Sequence, residues 1–334
     1  MRFSPRHCPH AACPSRASHH FRWRRRGYFR RNCDGRSVQR FVCLECRRFF
    51  SIQTFRLDYR LRKPRLHLAL FRDFVSKTTM RQSARTLSCS RRTVAHRLQL
   101  LGAHCRALHE ARLEKARAAG GLRGTFQLDE LETFEHSRRL QPITVPVLIE
   151  RKSYFVVHAE SARLPTRGNL SPALRAKKAE RERLFGKRRS GSVLAVSRAL
   201  ATLERVHVPH EPVELVTDRK HSYVSCAERA FGVRVVHRRF SSKARRDHRN
   251  PLFPINHTLA MMRDGISRLV RRTWAASKLR ARLDAHMWIW IVYRNYVRAI
   301  TNRATHTTPA MALGIEARKG SVEELLAWRI RVLA

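Results

Sequence analysis

The sequence is poor in acidic residues and has no long apolar run. Only 25 aspartate and glutamate residues stand against 70 lysine and arginine residues. The longest apolar run, Met287–Tyr293, is far below the roughly 20 residues that a helix needs to cross a bilayer. The first residues of the chain also lack the apolar core of a signal peptide. These absences predict a soluble, intracellular protein without a membrane span.

The excess of positive charge indicates a polyanionic partner. A chain of 334 residues with a formal net charge of +45 attracts phosphate backbones over a long range. The basic residues are spread along the chain, which argues against one cationic helix on a membrane surface. We therefore expect a cytoplasmic protein that binds nucleic acid and is attached to the nucleoid when bound to DNA. The length suggests two or three domains, and 43% hydrophobic residues suffice for at least one substantial core.

Cysteine is concentrated near the N-terminus in two close pairs. Eight cysteines in an intracellular chain are more often free thiols or metal ligands than disulfides. Cys8 and Cys13 form one pair, and Cys43 and Cys46 form the other, each with the spacing of a knuckle in a structural zinc site. A segment of this length with few apolar residues could hardly fold without a metal. The four thiolates predict a zinc ribbon over residues 1–62 that holds a structural Zn²⁺.

The same segment leaves alternatives open. Cys33 lies between the two pairs, and His7 and His10 flank the first pair, so one of these three could replace a cysteine ligand. Chance clustering of the four cysteines is the alternative to a zinc site. The stretch Arg22–Arg31 interleaves arginines with aromatic residues, a composition that suits contacts with phosphates and bases.

Residues 63–120 show helical spacing and predict a helix-turn-helix. Apolar residues recur from 66 to 75, a second helix fits 80–87, and a third begins after Ser90 as its N-cap and ends at Gly102. In a helix-turn-helix the last helix enters the major groove, and here it opens with polar and basic residues. The candidate DNA-binding residues are Arg91, Arg92, Thr93, His96 and Arg97. A plain helical hairpin is the alternative.

From Thr125 onward the pattern predicts strands first, and then alternating helices and strands. The predicted elements are strands at 125–129, 142–149 and 153–159, a helix at 192–206, a strand at 213–217, a helix at 222–230, a strand at 233–236, and helices at 254–273 and 278–300. The aromatic residues of the last helix have the spacing of a core helix. The stretch 163–192 is rich in lysine and arginine, which is typical of a solvated insertion or of an arm that faces DNA.

An acid closes two of these strands in a chain that has few acids. Asp129 ends the run that begins at Thr125, and Asp218 ends the run that begins at Val213. Carboxylates at strand ends point into the crevice where open α/β sheets hold ligands, and two converging carboxylates bind hard divalent cations. The pair predicts a site for metal-dependent nuclease or strand-transfer chemistry. For either aspartate alone, a turn after its strand would be the favoured explanation.

The order of these features resembles one family. With two cysteine knuckles, a basic helix-turn-helix and two acid-terminated strands, nearly the whole chain resembles insertion-sequence transposases of the ISXO-like branch. Further segments that carry the resemblance are 128–131, 217–219, 255–259, 268–273 and 307–314. It implies an α/β protein whose RNase H-like mixed-sheet catalytic domain spans 121–305, with a basic insertion at 163–192. A helical C-terminal tail would follow at 306–334.

The resemblance also implies a set of catalytic residues. Asp129 would bridge two Mg²⁺ or Mn²⁺ ions, and Asp218 would hold one of them. The third ligand of the family, usually glutamate, corresponds to Asn256, and some members of the branch have asparagine or histidine there. Arg263, seven residues further along on the same helical face, is expected to reach the scissile phosphate. Glu132, close to Asp129 in the sequence, is a candidate substitute ligand, but a solvated acid beside a basic surface is the favoured interpretation of it.

The sequence therefore predicts a transposase that binds the terminal inverted repeats of an insertion sequence and catalyses metal-dependent strand cleavage and transfer. Its expected partners are double-stranded DNA, at the element termini and at the target, and further copies of the chain on that DNA. One alternative is a catalytically inactive, transposase-derived DNA-binding protein, for which Asn256 would mark the lost activity. A zinc-ribbon RNA-binding factor would explain the charge but not Asp129 and Asp218.

Overall fold

The chain forms two compact units, each with its own sheet. The computed structural model describes residues 3–16, 20–245, 247–270, 277–303 and 305–329. The first unit consists of residues 1–69 and 323–334, and the second consists of residues 70–322. Together they contain a mixed α/β structure with a three-stranded sheet and a six-stranded sheet.

The first unit contains the three-stranded antiparallel sheet. Its strands are β1 (Trp23–Arg30), β2 (Ser37–Cys43) and β3 (Phe49–Ser51), paired in that order. A small buried cluster packs Phe41, Phe50 and Phe55 beside Cys8 and Cys13. All of β1 after its first residue is exposed, so this strand adds little to the cluster. The unit therefore buries few apolar side chains and needs another source of stability.

Three helices follow in chain order: α1 (Leu66–Val75), α2 (Met80–Thr86) and α3 (Arg91–Ala118). A reciprocal capping box between Thr79 and Gln82 begins α2. Ser90 begins α3, because its hydroxyl accepts a hydrogen bond from the backbone N–H of Thr93 at 3.1 Å. This confirms the N-cap that the sequence predicted.

The second unit is built around the six-stranded mixed sheet. Its strands are β4 (Thr125–Phe134), β5 (Pro142–Glu150), β6 (Val156–Ala159), β7 (Ala162–Arg163), β8 (Val213–Asp218) and β9 (Val235–Phe240). β4, β5 and β6 form an antiparallel meander, and β7 pairs with β5. β8 lies parallel to β4, and β9 lies parallel to β8, which gives the order β6-β5-β4-β8-β9.

The remaining helices follow in chain order, and all but the last lie within the second unit. They are α4 (Pro172–Phe185), α5 (Ser192–Val206), α6 (His221–Phe231), α7 (Phe253–Gly265), α8 (Arg280–Tyr296), α9 (Pro309–Ala312) and α10 (Val322–Ala327). Gln127 of β4 bonds to the start of α7, while the ring of its neighbour Phe126 contacts His207 just after α5. Because successive strand side chains point to opposite faces, α5 and α7 cover opposite faces of the sheet.

The aromatic residues of α8 confirm the core role that their spacing predicted. Trp288 is 5% exposed and Trp290 is fully buried, and α8 packs along α3 and against β6. The helix begins at Arg280 and ends at Tyr296, slightly inside the predicted range.

The predicted end of α3 at Gly102 is wrong, because the helix continues to Ala118. Gly102 lies where α3 crosses α8, and a Cβ atom at this position would lie 2.5 Å from the Cα atom of Ala285. The glycine therefore permits a close approach of two helices instead of ending one. Sequence spacing cannot separate these two uses, because the contact comes from a helix far along the chain.

The helix predicted at 254–273 also ends earlier than expected. α7 stops at Gly265, and a short 3-10 turn follows at Ser267–Leu269. The indole of Trp290 occupies the space that a side chain at Gly265 would fill, so tertiary packing sets this boundary. The predicted residues 271–273, and with them part of the motif 268–273, lie outside the described residues.

Candidate active site and metal centre

Asp129 and Asp218 lie side by side where the parallel pairing of β4 and β8 ends. The last paired residues in this register are Leu128 and Thr217, so each aspartate is the next residue on its strand. Neighbouring strands lie about 4.8 Å apart, which brings the two carboxylates within reach of one ligand. The expectation that β4 ends at Asp129 is wrong, since β4 stays paired with β5 as far as Phe134. Asp129 marks the end of the parallel pairing and not the end of the strand.

Gln127 ties the start of α7 to this part of the sheet. Its side-chain amide donates a hydrogen bond to the carbonyl of Pro251 at 2.6 Å and accepts one from the backbone N–H of Ile255 at 3.0 Å. Gln127 is fully buried and lies two residues before Asp129, on the same face of β4. The two bonds place Asn256, the residue after Ile255, above the strand that carries Asp129.

The four predicted catalytic residues line one cavity of about 560 Å³. Asp129 and Asp218 come from the sheet, and Asn256 and Arg263 come from α7. Other polar residues of the lining are Glu130, Glu132, Ser242, Asn250 and His257. A ligand in this cavity would meet two carboxylates, an amide and a guanidinium. The structure therefore brings together residues from three separate segments of the sequence.

Glu130 adjoins Asp129 but belongs to a separate polar network. Its carboxylate accepts hydrogen bonds from the hydroxyls of Thr144 at 2.6 Å and Ser192 at 2.9 Å, and it pairs with the ammonium of Lys220. Because Ser192 begins α5, the Glu130 carboxylate is directed toward α5, although Glu130 also contributes to the lining of the cavity. Lys220 follows β8, so this network connects the two strands that carry the aspartates to α5 and stiffens the site from behind.

Two other acids near the site have partners of their own. Glu132 lines the cavity and pairs with Arg167 at 2.7 Å. Asp264, the residue after Arg263, is exposed and pairs with Lys77 at 3.5 Å. Asp264 is not among the residues that line the cavity, because it follows Arg263 directly and so points about 100° away from it around the helix.

His257 and Gln127 are the site residues that the sequence did not reveal. His257 lines the cavity, and its ring stacks on that of Phe253 with centroids 5.8 Å apart. Burial lowers the pKa of His257, and nearby arginines lower it further, so the imidazole is neutral at pH 7. His257 lies in the segment 255–259 and Gln127 in the run that begins at Thr125, but the resemblance assigns no role to either residue. The signal that identifies them is contact between segments distant in the sequence.

We expect Gln127→Leu to loosen α7 and to weaken metal binding in the cavity. The leucine would leave the carbonyl of Pro251 and the N–H of Ile255 without their partner, at a cost of about 1–3 kcal/mol for each group. Thermal unfolding would measure the lost stability, and Mn²⁺ titration would measure the effect on the site. Gln141→Leu, which alters a buried glutamine beside β5, is the matched control. Equal Mn²⁺ affinity in the two variants would contradict a positioning role for Gln127.

The four cysteines of the first unit form a cluster that could hold a metal ion such as zinc. Their Sγ atoms all lie within 4.8 Å of one another. The Cys8–Cys46 and Cys13–Cys43 sulfur distances are both 3.7 Å. Four Zn–S bonds of about 2.3 Å in a tetrahedron place the sulfurs about 3.8 Å apart, so the cluster has the right size for such an ion.

The thiols of this cluster differ in pKa, because burial and hydrogen-bond donors affect them unequally. Burial raises the pKa of the Cys43 thiol, but the backbone N–H of Cys46 and the hydroxyl of Ser15 outweigh it and lower the pKa to about 7. Burial raises the pKa of Cys8. Among the described residues, the alternative ligands His7, His10 and Cys33 do not join the group of potential ligands. The arrangement therefore favours four cysteine ligands.

The candidate DNA-binding residues of α3 do not all face solvent. Arg91, Arg92 and His96 are exposed, and Thr93 is half-buried. Arg97 is only 5% exposed, so its guanidinium lies on the packed side of α3, away from the exposed start of the helix. Helical periodicity explains the difference, because a residue six positions after Arg91 lies about 120° away from it around the helix.

No family model matches the sequence, and no curated protein is significantly similar to it. Within the described ranges, every helix is too short or too polar to cross a bilayer.

Proposed function

We propose that the chain is a DNA transposase that binds the terminal inverted repeats of an insertion sequence and catalyses metal-dependent strand cleavage and transfer. The observation that carries this proposal is the convergence of Asp129, Asp218, Asn256 and Arg263 on one cavity. Carboxylates and an amide oxygen are hard ligands for divalent cations, and a guanidinium beside them suits a phosphate. The net charge of +45 supports a nucleic acid as the substrate.

The order of elements supports an RNase H-like core. In the second unit an antiparallel meander is followed by a helix, a parallel strand, a helix and a second parallel strand. This agrees with the order that the family resemblance implies. Asp129 lies on the first strand of the meander, and Asp218 ends the first parallel strand. Asn256 lies on the helix after the sheet, where the family has its third ligand.

In the proposed mechanism, Asp129, Asp218 and Asn256 would hold Mg²⁺ or Mn²⁺. When bound, such ions activate the attacking oxygen and stabilise the departing one. The chain supplies the positioning: the register of β4 and β8 sets the carboxylates side by side, and Gln127 holds the first turn of α7. Arg263, about two turns further along α7, would bind the scissile phosphate and offset its negative charge.

Other parts of the chain would recognise the DNA. We assign α1, α2 and α3 to a helix-turn-helix that presents Arg91, Arg92, Thr93 and His96 to the major groove. The four-cysteine unit would add a zinc ribbon whose exposed β1 is rich in arginine. The function places the protein in the cytoplasm on nucleoid DNA. Bringing two element ends together would require an assembly of several copies on that DNA.

The test is cleavage and joining of a duplex that carries one of the inverted repeats flanking the gene. With Mg²⁺ or Mn²⁺ we expect cutting at the repeat end and joining to a target duplex, and with EDTA we expect neither. A scrambled duplex of equal length is the control for terminus recognition. Metal-independent cutting, or equal cutting of the scrambled duplex, would contradict the proposal.

A second function, that of an inactive DNA-binding protein derived from a transposase, is favoured by one observation. Asn256 brings a neutral amide where the family usually has a carboxylate, and an amide contributes less charge to a cation site. In that case the wild-type chain would bind the terminus tightly and cut it with neither metal. The same assay therefore separates the two functions.

A further inference from the structure

The segment 163–192, which we call the α4 arm, contains a helix that the core does not stabilise. It carries ten lysine and arginine residues and only two glutamates, and no residue of α4 is buried. Residues at its two ends define the helix instead. Ser171 is the N-cap, Pro172 is the first helical residue, and Gly186, with a positive φ of 73°, ends the helix. Apart from the exposed Leu184 and Phe185 near its end, α4 presents mainly polar side chains and alanines to solvent, and this surface is available for a partner.

The base of the α4 arm is fixed to the sheet. The guanidinium of Arg188 donates hydrogen bonds to the carbonyls of Leu164 at 2.8 Å and Pro142 at 3.0 Å. The backbone N–H of Gly191 donates to the carbonyl of Arg163 at 2.8 Å. The two ends of the arm are therefore joined to each other and to the start of β5, so the arm projects from a defined place.

That place is the rim of the candidate active site. Arg167, near the start of the arm, pairs with Glu132 at 2.7 Å, and Glu132 lines the cavity that holds Asp129. The base of the arm therefore adjoins one wall of this cavity. α4 begins five residues after Arg167 and is about 21 Å long, for its 14 residues.

The side chains of α4 divide into an inner face, two flanks and an outer face. Partly covered residues mark the inner face, and these are Leu174, Lys178 and Glu182. At 100° per residue, Lys177 and Arg181 lie on one flank, and Arg175 and Arg183 lie on the other. All four are exposed, and among the described residues none of the four has a carboxylate within 4.0 Å.

The outer face of α4 is narrow. It carries two exposed alanines, Ala173 and Ala176, together with Glu180, while the exposed Ala179 lies on the flank between Arg175 and Arg183. Short side chains between two rows of cations fit a helix that enters the major groove, which is about 12 Å wide and has a row of phosphates on each side. Glu180 is compatible with this placement, because a carboxylate in the major groove can accept a hydrogen bond from the amino group of cytosine.

We propose that α4 binds duplex DNA by lying in its major groove, with Lys177 and Arg181 on one phosphate row and Arg175 and Arg183 on the other. The position of the arm places this duplex beside the active site, and that part of the inference rests on the proposed function. The proposal that α4 binds duplex DNA does not depend on the proposed function. With this binding mode, α4 would be a second DNA-binding element, separate from the exposed start of α3.

The test compares two variants of the full chain that lose the same charge. The first changes Arg175, Lys177, Arg181 and Arg183 to glutamine, which keeps the helix propensity. The control changes exposed basic residues elsewhere in the second unit to glutamine, and these are Lys115, Arg151, Lys152 and Arg229. Each lost phosphate contact lowers the slope of log affinity against log salt by about 0.9, so the first variant should lose about 3 to 4 units. The control should lose less than about one unit.

Dimethyl sulfate protection then tests the groove, because this reagent methylates guanine N7, which lies in the major groove. We expect the wild-type chain and the control to protect a guanine tract that the α4 variant leaves reactive. Equal salt slopes for the two variants, or unchanged N7 protection, would overturn the proposal. If the wild-type chain never cuts DNA but α4 behaves as expected, the transposase proposal fails and this one stands.

Discussion

Asp129→Ala and Asp218→Ala should each abolish metal-dependent cleavage and joining of a terminus-bearing duplex. Each change removes one of the two carboxylates that the register of β4 and β8 places side by side, and with it a negative charge needed to hold Mg²⁺. We expect a loss of at least about 10³-fold, the order seen when a preorganised electrostatic contact is removed. Binding to the terminus should persist, because the proposed recognition residues of α3 lie elsewhere in the chain.

Variants of Asn256 separate an enzyme from an inactive relative. Asn256→Ala should reduce strand transfer severely, whereas Asn256→Asp and Asn256→Glu should retain part of it, since each restores a ligand of stronger charge. Asp264→Ala is the matched control on the same helix, because Asp264 is exposed and pairs with Lys77 outside the cavity. It should leave the rate unchanged. Full activity of Asn256→Ala would show that another residue is the third metal ligand, and Glu132 would be tested next.

Cys43→Ser should release the metal from the first unit and unfold that unit. One lost thiolate opens a cluster whose opposed sulfurs are 3.7 Å apart. Structural zinc contributes about 10 kcal/mol or more to the folding of small zinc domains, and the aromatic cluster beside these cysteines is small. Metal analysis of the full chain should find one equivalent of zinc in the wild type and less than half in the variant. Limited proteolysis should cut the variant first within residues 1–69.

Cys33→Ser is the matched control for that experiment. Cys33 is exposed and lies between the two cysteine pairs, but it is not part of the four-cysteine cluster. Its replacement should leave the zinc content and the proteolysis pattern unchanged. Zinc that survives Cys43→Ser, or a wild-type chain with less than half an equivalent, would contradict a structural zinc site.

Features that depend on neighbouring residues could be predicted well. The sequence predicted α5 at its observed bounds, Ser192–Val206, and the strand β8 to within one residue. It also predicted the N-cap at Ser90 and the grouping of four cysteines. Helical and strand periodicity, capping and ligand spacing all act within a few residues, so each leaves a local pattern.

Features that depend on distant contacts could not be predicted from that pattern. Gly102 was predicted to end α3 because glycine often ends helices. In the structure, the close contact with Ala285 of α8 is the reason that this position has no side chain. The basic stretch 163–192 was predicted as a solvated insertion or an arm, and the structure adds a helix to it. Arg97 followed the basic pattern of its neighbours, yet packing buries it.

The sequence by itself determined the cysteine knuckles, the excess of positive charge and the two aspartates at the ends of apolar runs. Only the tertiary structure decided that Asp129 and Asp218 are next to each other, that Asn256 and Arg263 share their cavity, and that Gln127 holds α7 in place. The bond between Gln127 and Ile255 joins residues 128 positions apart. Such contacts leave no periodicity in the sequence, because they arise only when strands set their register and helices pack on the sheet.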